Sequence, residues 1–501
     1  MQKYILSSVL GVILWSCSSP ATNWDEESYN IVESRASTNS DSDNDYIPDN
    51  IEKLIGSDPY NSDQNNNGTL DGVETQGDFG DLFFDKQWYI RSHGSITNSS
   101  GVASISGYDL GLLPIYQKYM GYNYGNNIII QIVDTAVYAR HEDLAMNIDI
   151  SRSYDGLTAG RMPIPSINNS HGTKVAGVIG ARAFNGVGVR GVIPFAKLAV
   201  SNWLETSSLN ILDKIWYSGQ GSNEIAVSNN SWGFDFSSNT LPEEYMQQAT
   251  TLRNGKGRVF VFPSGNTRNV NGNANLDYLL NNRFAITVAS INYNNVHSSF
   301  STKGSNVLVS AYSGEDISTT PTIATTTIPK ESHNSGTRPT TWSHDNKRNY
   351  TYDFDGTSTA APMVSGAIGL VLEACPNLTW RDIRYILAKT SKRIDRYNDS
   401  WVRNGAGIYH SIDYGYGLIQ PRTMIELCQN DYEELPSQRS FQKTIYPRTK
   451  LPDDHTKTTY SLDIERSLAV EWVELTIDSD HTYASDLEIY LQSPNGTKTQ
   501  L

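Results

Sequence analysis

A chain of 501 residues exceeds what one hydrophobic core organises, so two or three domains are expected. The net charge of −15 argues against a nucleic-acid partner and against anionic membrane surfaces. Three cysteines, Cys17, Cys375 and Cys428, form neither a disulfide framework nor a zinc pattern. Cys375 and Cys428 can pair across two C-terminal helices or stay as buried thiols.

Residues 1–16 carry Lys3 and then an apolar run over 4–15, too short to span a bilayer as a helix. That is the pattern of a secretory signal. It ends Leu14-Trp15-Ser16-Cys17, which resembles the lipobox of bacterial lipoproteins and implies cleavage before Cys17 with lipid on its thiol. Ordinary signal cleavage is the alternative. Either way the chain is expected to be exported, as a cell-envelope lipoprotein or a secreted protein. Residues 17–40 then suit a flexible tether.

Two acidic loops follow, over 41–52 and 63–74. Asp41, Asp43, Asp45, Asp49 and Glu52 in the first, and Asp63, Asn65, Asn67, Asp71 and Glu74 in the second, fall at loop positions 1, 3, 5, 9 and 12. That spacing surrounds a hard cation with oxygens, so calcium is expected here rather than a merely solvated acidic linker. Gly68 stands at the sharp turn of the second loop, where the first has Tyr46. Long flanking helices are missing, and the segment 41–77 resembles thrombospondin type-3 calcium repeats, which implies a stiffened spacer.

Over 78–430 short β-branched runs alternate with helical patterns. Residues 128–133, 198–200, 259–262, 284–289 and 307–309 look like strands covered on both faces. Helices are expected from His171, over 241–252, after Ser358, and from Thr379, where Asp382 completes a capping box. Such alternation predicts an α/β layer with a mainly parallel sheet and functional groups at the strands' carboxyl ends. A polar linker over 431–445 leads into strict alternation, predicting antiparallel β over 446–501. The alternation stops at Leu501 in what should be mid-sheet, so that domain is expected to be truncated.

Asp134 follows the first strand run, His171-Gly172-Thr173 opens a helix, and Gly356-Thr357-Ser358 opens another. A serine hydroxyl is a poor nucleophile until a base takes its proton, and the base needs an acceptor behind it. Asp, His and Ser in this chain order are one known arrangement of such a triad. Singly, a buried acceptor and two helix caps would explain them; three matching contexts favour the triad. Asn266, in the turn Ser264-Gly265-Asn266 after a strand, can donate an amide N–H to an oxyanion beside the backbone N–H of Ser358.

These motifs resemble a subtilisin-type serine peptidase over 82–424. The resemblance implies a subtilisin-like three-layer α/β fold, with Ser231-Trp232-Gly233 pairing with an extended substrate as an added strand. It also implies a calcium site with side-chain oxygens from Asp143 and Asn185 and carbonyls from Ala183, Val187 and Val189. The stretch 372–382 and Tyr414-Gly415-Tyr416-Gly417 resemble the kexin/furin branch, and 471–497 is similar to the first half of its P domain, a jelly-roll β-sandwich. Asp277, eleven residues after Asn266, matches the branch's basic-pocket aspartate. Thr135 and Ala136 stand where the branch has aspartate and glycine, and Phe236 and Thr302 where it has acidic residues. One carboxylate for a basic P1 residue is therefore implied, without strict dibasic specificity or the second calcium site. Residues 18–77 are too polar and acidic to resemble the family's folding propeptide.

The expected protein is an exported, lipid-anchored, calcium-dependent serine endopeptidase acting as a monomer on polypeptide substrates. The rival from another class is a calcium-binding adhesion protein on an inactive peptidase scaffold.

Overall fold

The computed structural model describes residues 42–43, 49, 58–64, 66, 68, 81–94, 102–119, 125, 127–161, 163, 165, 169–183, 185–206, 211–212, 214–218, 221–233, 242–315, 320–329, 349–448, 451, 456–464, 469–479, 481 and 487–501. All of them belong to the unit Asn39–Leu501.

The elements in chain order are α1 (Leu113–Tyr119), β1 (Ile129–Asp134), β2 (Tyr154–Asp155), α2 (His171–Gly180), β3 (Lys197–Asn202), β4 (Val227–Asn229) and α3 (Pro242–Ala249). Then come β5 (Val259–Pro263), β6 (Ala285–Ile291), β7 (Val307–Tyr312), β8 (Thr325–Thr326), β9 (Tyr350–Thr351), α4 (Thr357–Ala374) and α5 (Trp380–Thr390). The hairpin β10 (Trp401–Arg403) and β11 (Tyr409–Ser411), α6 (Pro421–Asn430), and the hairpin β12 (Tyr490–Gln492) and β13 (Lys498–Gln500) complete them.

Strands β1 to β7 form one sheet in the order 2-3-1-4-5-6-7, and every pairing in it is parallel. The chain leaves β1 for β3 on one side and later returns to β4 on the other. The carboxyl end of β1 is therefore a topological switch point, where helices diverge and leave a crevice.

Strand β5 shows why there are three layers. Val259 and Val261 enter one core with α2 and α4, while Phe260 and Phe262 enter a second core with Trp203, Trp216 and Trp232. A period of two in a strand covered on both faces produces this partition. Helix α4 is buried without a break from Thr359 to Leu372, as expected of a helix apolar on all sides. The Thr379–Asp382 capping box opens α5, with Asp382 Oδ2 accepting from the Thr379 N–H at 2.7 Å.

Cys375, which caps the end of α4, is bonded to Cys428 in α6, with Cα atoms 6.3 Å apart. The open choice between pairing and free thiols is thereby resolved for pairing. In the C-terminal segment the described residues contain one antiparallel hairpin, β12–β13. Across 469–479 no strand forms; Val470, Val473, Leu475 and Ile477 stay exposed, and an alternating run that pairs with no strand among the described residues lacks the bonding that makes a strand.

Candidate active site

Asp134 is the last residue of β1 and is fully buried at the switch point. Its Oδ1 accepts from His171 Nδ1 at 2.7 Å and from the Thr135 N–H at 2.7 Å. Its Oδ2 has no partner among the described residues. A carboxylate at Nδ1 fixes that nitrogen as the proton-bearing one and leaves Nε2 as the basic site.

His171 is the first residue of α2, and the start of that helix is tied down on several sides. The Gly172 N–H donates to Thr135 Oγ1 at 2.9 Å, and a Cβ at Gly172 would lie 2.3 Å from the Thr135 carbonyl, so only glycine allows this approach. The hydroxyls of Thr326 and Thr325 donate to the carbonyls of Thr173 and Lys174. Phe354 meets the imidazole edge-on, with centroids 5.6 Å apart. Burial pushes the His171 pKa down, and the Lys174 ammonium acts the same way. The charge and hydrogen bond of Asp134 outweigh both and hold the pKa above the ordinary histidine value. A third of the side chain stays open to solvent, which leaves the ring reachable.

Ser358 is the second residue of α4. Gly356, with φ +81°, caps the helix in a conformation that favours glycine. Pro362 lies inside the first turns and has no N–H to give the carbonyl four residues back, which is that of Ser358. That carbonyl accepts from Ser231 Oγ at 3.2 Å instead, while Ser358 Oγ donates to the Ser231 carbonyl at 3.2 Å. The serine hydroxyl is thus turned towards Ser231, and no hydrogen bond joins it to His171 among the described residues.

Asn266 stands beside the same helix start. Its Oδ1 accepts from the Thr357 N–H at 2.9 Å and from Thr357 Oγ1 at 2.8 Å. Two donors on the oxygen fix which way the amide faces, and Nδ2 keeps its hydrogens for another acceptor. A Cβ at Gly356 would come 3.2 Å from Nδ2, a second reason for glycine there.

The segment Ser231-Trp232-Gly233 continues from β4. Trp232 Nε1 donates to the Val133 carbonyl at 2.8 Å, and its ring packs on Trp203 with centroids 4.1 Å apart. The half-buried Asp277 accepts from the Leu279 N–H at 2.8 Å, and its Oδ2 lies 3.1 Å from where a Cβ on Gly233 would sit. Its carboxylate therefore flanks the edge segment, a proximity that no local pattern encodes. Of the departures, Thr135 holds the start of α2 as described. Thr302 Oγ1 accepts from the Thr267 N–H at 2.9 Å, and Phe236 lies outside the described residues.

Away from this cluster, the fully buried Asp143 accepts from Asn185 Nδ2 at 2.8 Å and from the Val189 N–H at 2.9 Å. The Val187 N–H donates to Asn185 Oδ1 at 3.2 Å, and Ala183 is buried in the same loop. Asp81, a buried acid that the sequence motifs do not contain, joins them: its Oδ1 accepts from the Asn185 N–H at 3.4 Å and its Oδ2 pairs with Arg190 at 2.7 Å. Burial, and next the charge of Asp81, push the Asp143 pKa well above the ordinary carboxylate range. Two buried carboxylates in mutual repulsion fit a divalent cation. The Asn185 amide, turned nitrogen-first to Asp143, would have to turn over to serve as a ligand.

In the N-terminal loops, Asp49 accepts from the N–H and Oγ of Ser42 at 2.7 and 2.8 Å. Asp63 Oδ2 accepts from the Gly68 N–H at 2.8 Å, closing the second loop at its glycine turn. Asp43 is half-buried. Asp41, Asp45, Glu52, Asn65, Asn67, Asp71, Glu74 and Cys17 lie outside the described residues. Among the described residues, no three His, Cys, Asp or Glu side chains gather into a metal cage.

Comparison with known proteins accounts for most of the chain. Residues 125–417 match the subtilase family, and 470–501 match the proprotein convertase P-domain. The chain is 30% identical to the Aeromonas extracellular serine protease of Aeromonas sobria, over 83% of this chain and 76% of that one. It is 30% identical to proprotein convertase subtilisin/kexin type 6 of Rattus norvegicus over 75% of this chain, and spans 40% of that protein's length. Against PC3-like endoprotease variant B of Hydra vulgaris the identity is 27%, over 86% of this chain and 59% of that one. The crystal structure of the Aeromonas sobria serine protease superposes with a TM-score of 0.66 at 27% identity, covering 72% of this chain and 69% of that chain. The same protease has been solved in complex with a chaperone, TM-score 0.64. With a parallel sheet whose switch point holds a buried Asp–His pair, and with these matches along its length, the chain belongs to the subtilase family of serine proteases.

Proposed function

We propose that Ser358 is the nucleophile, His171 its general base and Asp134 the carboxylate that orients His171 in hydrolysing peptide bonds. The observation that carries this reading is the 2.7 Å bond between the buried Asp134 carboxylate and His171 Nδ1 at the carboxyl end of β1. The Ser358 hydroxyl turns from the Ser231 carbonyl to His171 Nε2 as substrate binds; catalytic hydrogen bonds often tighten only then. His171 takes the hydroxyl proton as Oγ bonds to the scissile carbonyl carbon. The Ser358 N–H and Asn266 Nδ2 stabilise the resulting oxyanion. Collapse breaks the C–N bond, His171 gives its proton to the leaving amine, and water then cleaves the acyl-enzyme by the same exchange.

Asp277 beside Gly233 supports a preference for a basic P1 residue, since a carboxylate along the substrate edge attracts Arg or Lys. Asp81 and Asp143, with Asn185 and the Ala183, Val187 and Val189 carbonyls, would hold a calcium ion. Its double charge would relieve the repulsion between the carboxylates and stiffen the loop. The two N-terminal loops would bind calcium likewise. Export supports itself on the signal pattern and on an extracellular relative, and the lipid anchor on Cys17 rests on the lipobox alone. Metabolic labelling with palmitate, lost in Cys17→Ala, tests it.

The test is labelling with a serine-directed fluorophosphonate. Wild type should label in calcium, and Ser358→Ala should not. A well-folded, calcium-loaded protein that stays unlabelled would favour the binding protein on an inactive scaffold.

A further inference from the structure

We propose that Arg268, through its ion pair with Asp413, is a positioning residue that holds the Asn266 amide where the oxyanion forms. This rests on the reading of Asn266 as an oxyanion donor.

Asn266 is exposed and lies three residues beyond the end of β5. An oxyanion donor gives its full effect only if it is already in place when charge develops, and a loop side chain needs support to achieve that. One side of the amide is held by Thr357, as described. The main chain of its loop is held by neutral bonds: the Ser264 N–H donates to the Val288 carbonyl of β6 at 2.8 Å, and others join the loop to the strip 300–302. The Thr302 N–H donates to the Gly265 carbonyl at 2.9 Å, the Thr267 N–H to Thr302 Oγ1 at 2.9 Å, and the Arg268 N–H to the Phe300 carbonyl at 3.1 Å. That strip is tied in turn to β6, where the Ser290 N–H donates to Ser301 Oγ at 3.0 Å, so these neutral bonds reference the loop to β6.

Arg268 supplies a different anchor. Its Nη1 donates to Asp413 Oδ1 at 2.7 Å across 145 residues of chain. The Asp413 side chain is only 8% exposed and that of Arg268 23%, so the pair is not an ordinary solvated surface contact. The acid sits in a turn fixed to the sheet: the Asp413 N–H donates to Ser411 Oγ at 3.0 Å, Ser310 Oγ of β7 to the Tyr414 carbonyl at 2.8 Å, and the Tyr416 N–H to the Leu308 carbonyl at 2.7 Å. The ion pair thus references the Asn266 loop to β7, while Thr357 references it to α4. With the neutral bonds to β6, anchors on separate elements define a position that one cannot, and the ion pair is the charged one among them.

The experiment follows fluorophosphonate labelling of the full chain at saturating probe, with the thermal midpoint of each variant measured alongside. Asn266→Ala should slow the maximum labelling rate by about 10²–10³-fold. Arg268→Met and Asp413→Asn should each slow it by about 10-fold, with the half-saturating concentration little changed, as a small displacement of a catalytic group does. Arg268→Lys should recover most of the rate, which also serves if the Asp413 variant folds poorly. The deciding variant combines Arg268→Met with Asn266→Ala and should label no more slowly than Asn266→Ala alone. Multiplicative losses in the double variant, or a lowered midpoint with an unchanged rate for Arg268→Met, would overturn the proposal by making the pair merely structural. If Asn266→Ala is slow and Arg268→Met is not, positioning alone fails. If Asn266→Ala labels at the wild-type rate, the oxyanion reading fails and the positioning proposal falls with it.

Discussion

The Trp232 indole N–H donates to the carbonyl of Val133, the residue before Asp134, at 2.8 Å. The segment resembling a substrate edge is thereby bonded to the strand end that presents the buried acid. Its ring is wedged against Trp203 and Trp216 in the second core, so neither partner moves without the other.

Trp232→Phe keeps most of the packing and removes this bond, leaving a buried carbonyl short of a donor. A loss of about 1–3 kcal/mol in stability is expected. Chemical denaturation should register it, and peptide turnover should fall through the displaced edge.

Asp134→Asn should lower turnover by about 10⁴-fold, because an amide no longer fixes the productive tautomer. The general base must be neutral, so activity rises as pH passes upward through the His171 pKa. The Asp134 charge and hydrogen bond hold that pKa above its ordinary value against burial. Removing them should move the acid limb of the residual activity to lower pH, which a pH–rate profile reads directly. An unmoved limb would mean that another group controls it.

For Asp277 the comparison is between substrates. A charge-assisted hydrogen bond contributes about 1.5–3 kcal/mol, so Asp277→Asn should lower kcat/KM on peptidyl-arginine substrates by about 10- to 10²-fold. Peptidyl-leucine substrates should be little affected. Equal losses on both would remove Asp277 from specificity.

Chelation should lower the thermal midpoint of the wild type. A site occupied at a hundred times its Kd contributes about 2.7 kcal/mol. In Asp143→Asn the buried repulsion with Asp81 is relieved without the ion, so the midpoint should respond less to chelator. Calorimetry in calcium and in chelator measures the difference.

The Cys375–Cys428 bond closes a separation of 53 residues and ties the end of the Ser358 helix to α6. Removing it by Cys428→Ala with Cys375→Ala should cost about 2–4 kcal/mol. The denaturant midpoint of the wild type should shift on reduction, and that of the double variant should not.

The sequence alone was enough to locate β1, β3, β5, β6 and β7 and helices α2 to α5, but not the short strands β2 and β4, whose two or three residues carry too little periodicity. Strand and helix alternation reads out as the parallel sheet because burial on both faces demands continuous β-branched runs such as 259–262. The local contexts of Asp134, His171 and Ser358 were legible too, since a strand end and two helix starts are made by a few adjacent residues. Even Asn266 was visible as the turn after β5. These signals are local, and local chemistry survives without coordinates.

Tertiary structure alone decided the rest. Asp81 carries no motif, and only the fold brings it against Asp143. Asp277 meets Gly233, and Arg268 meets Asp413, because the order of strands in the sheet carries distant loops to one edge. The disulfide was an open choice until α4 and α6 lay side by side, and the exposed run at 469–479 shows the reverse: a β pattern that pairs with no strand among the described residues. Periodicity specifies which face is buried; which loop sits opposite depends on topology and packing, which no local pattern encodes.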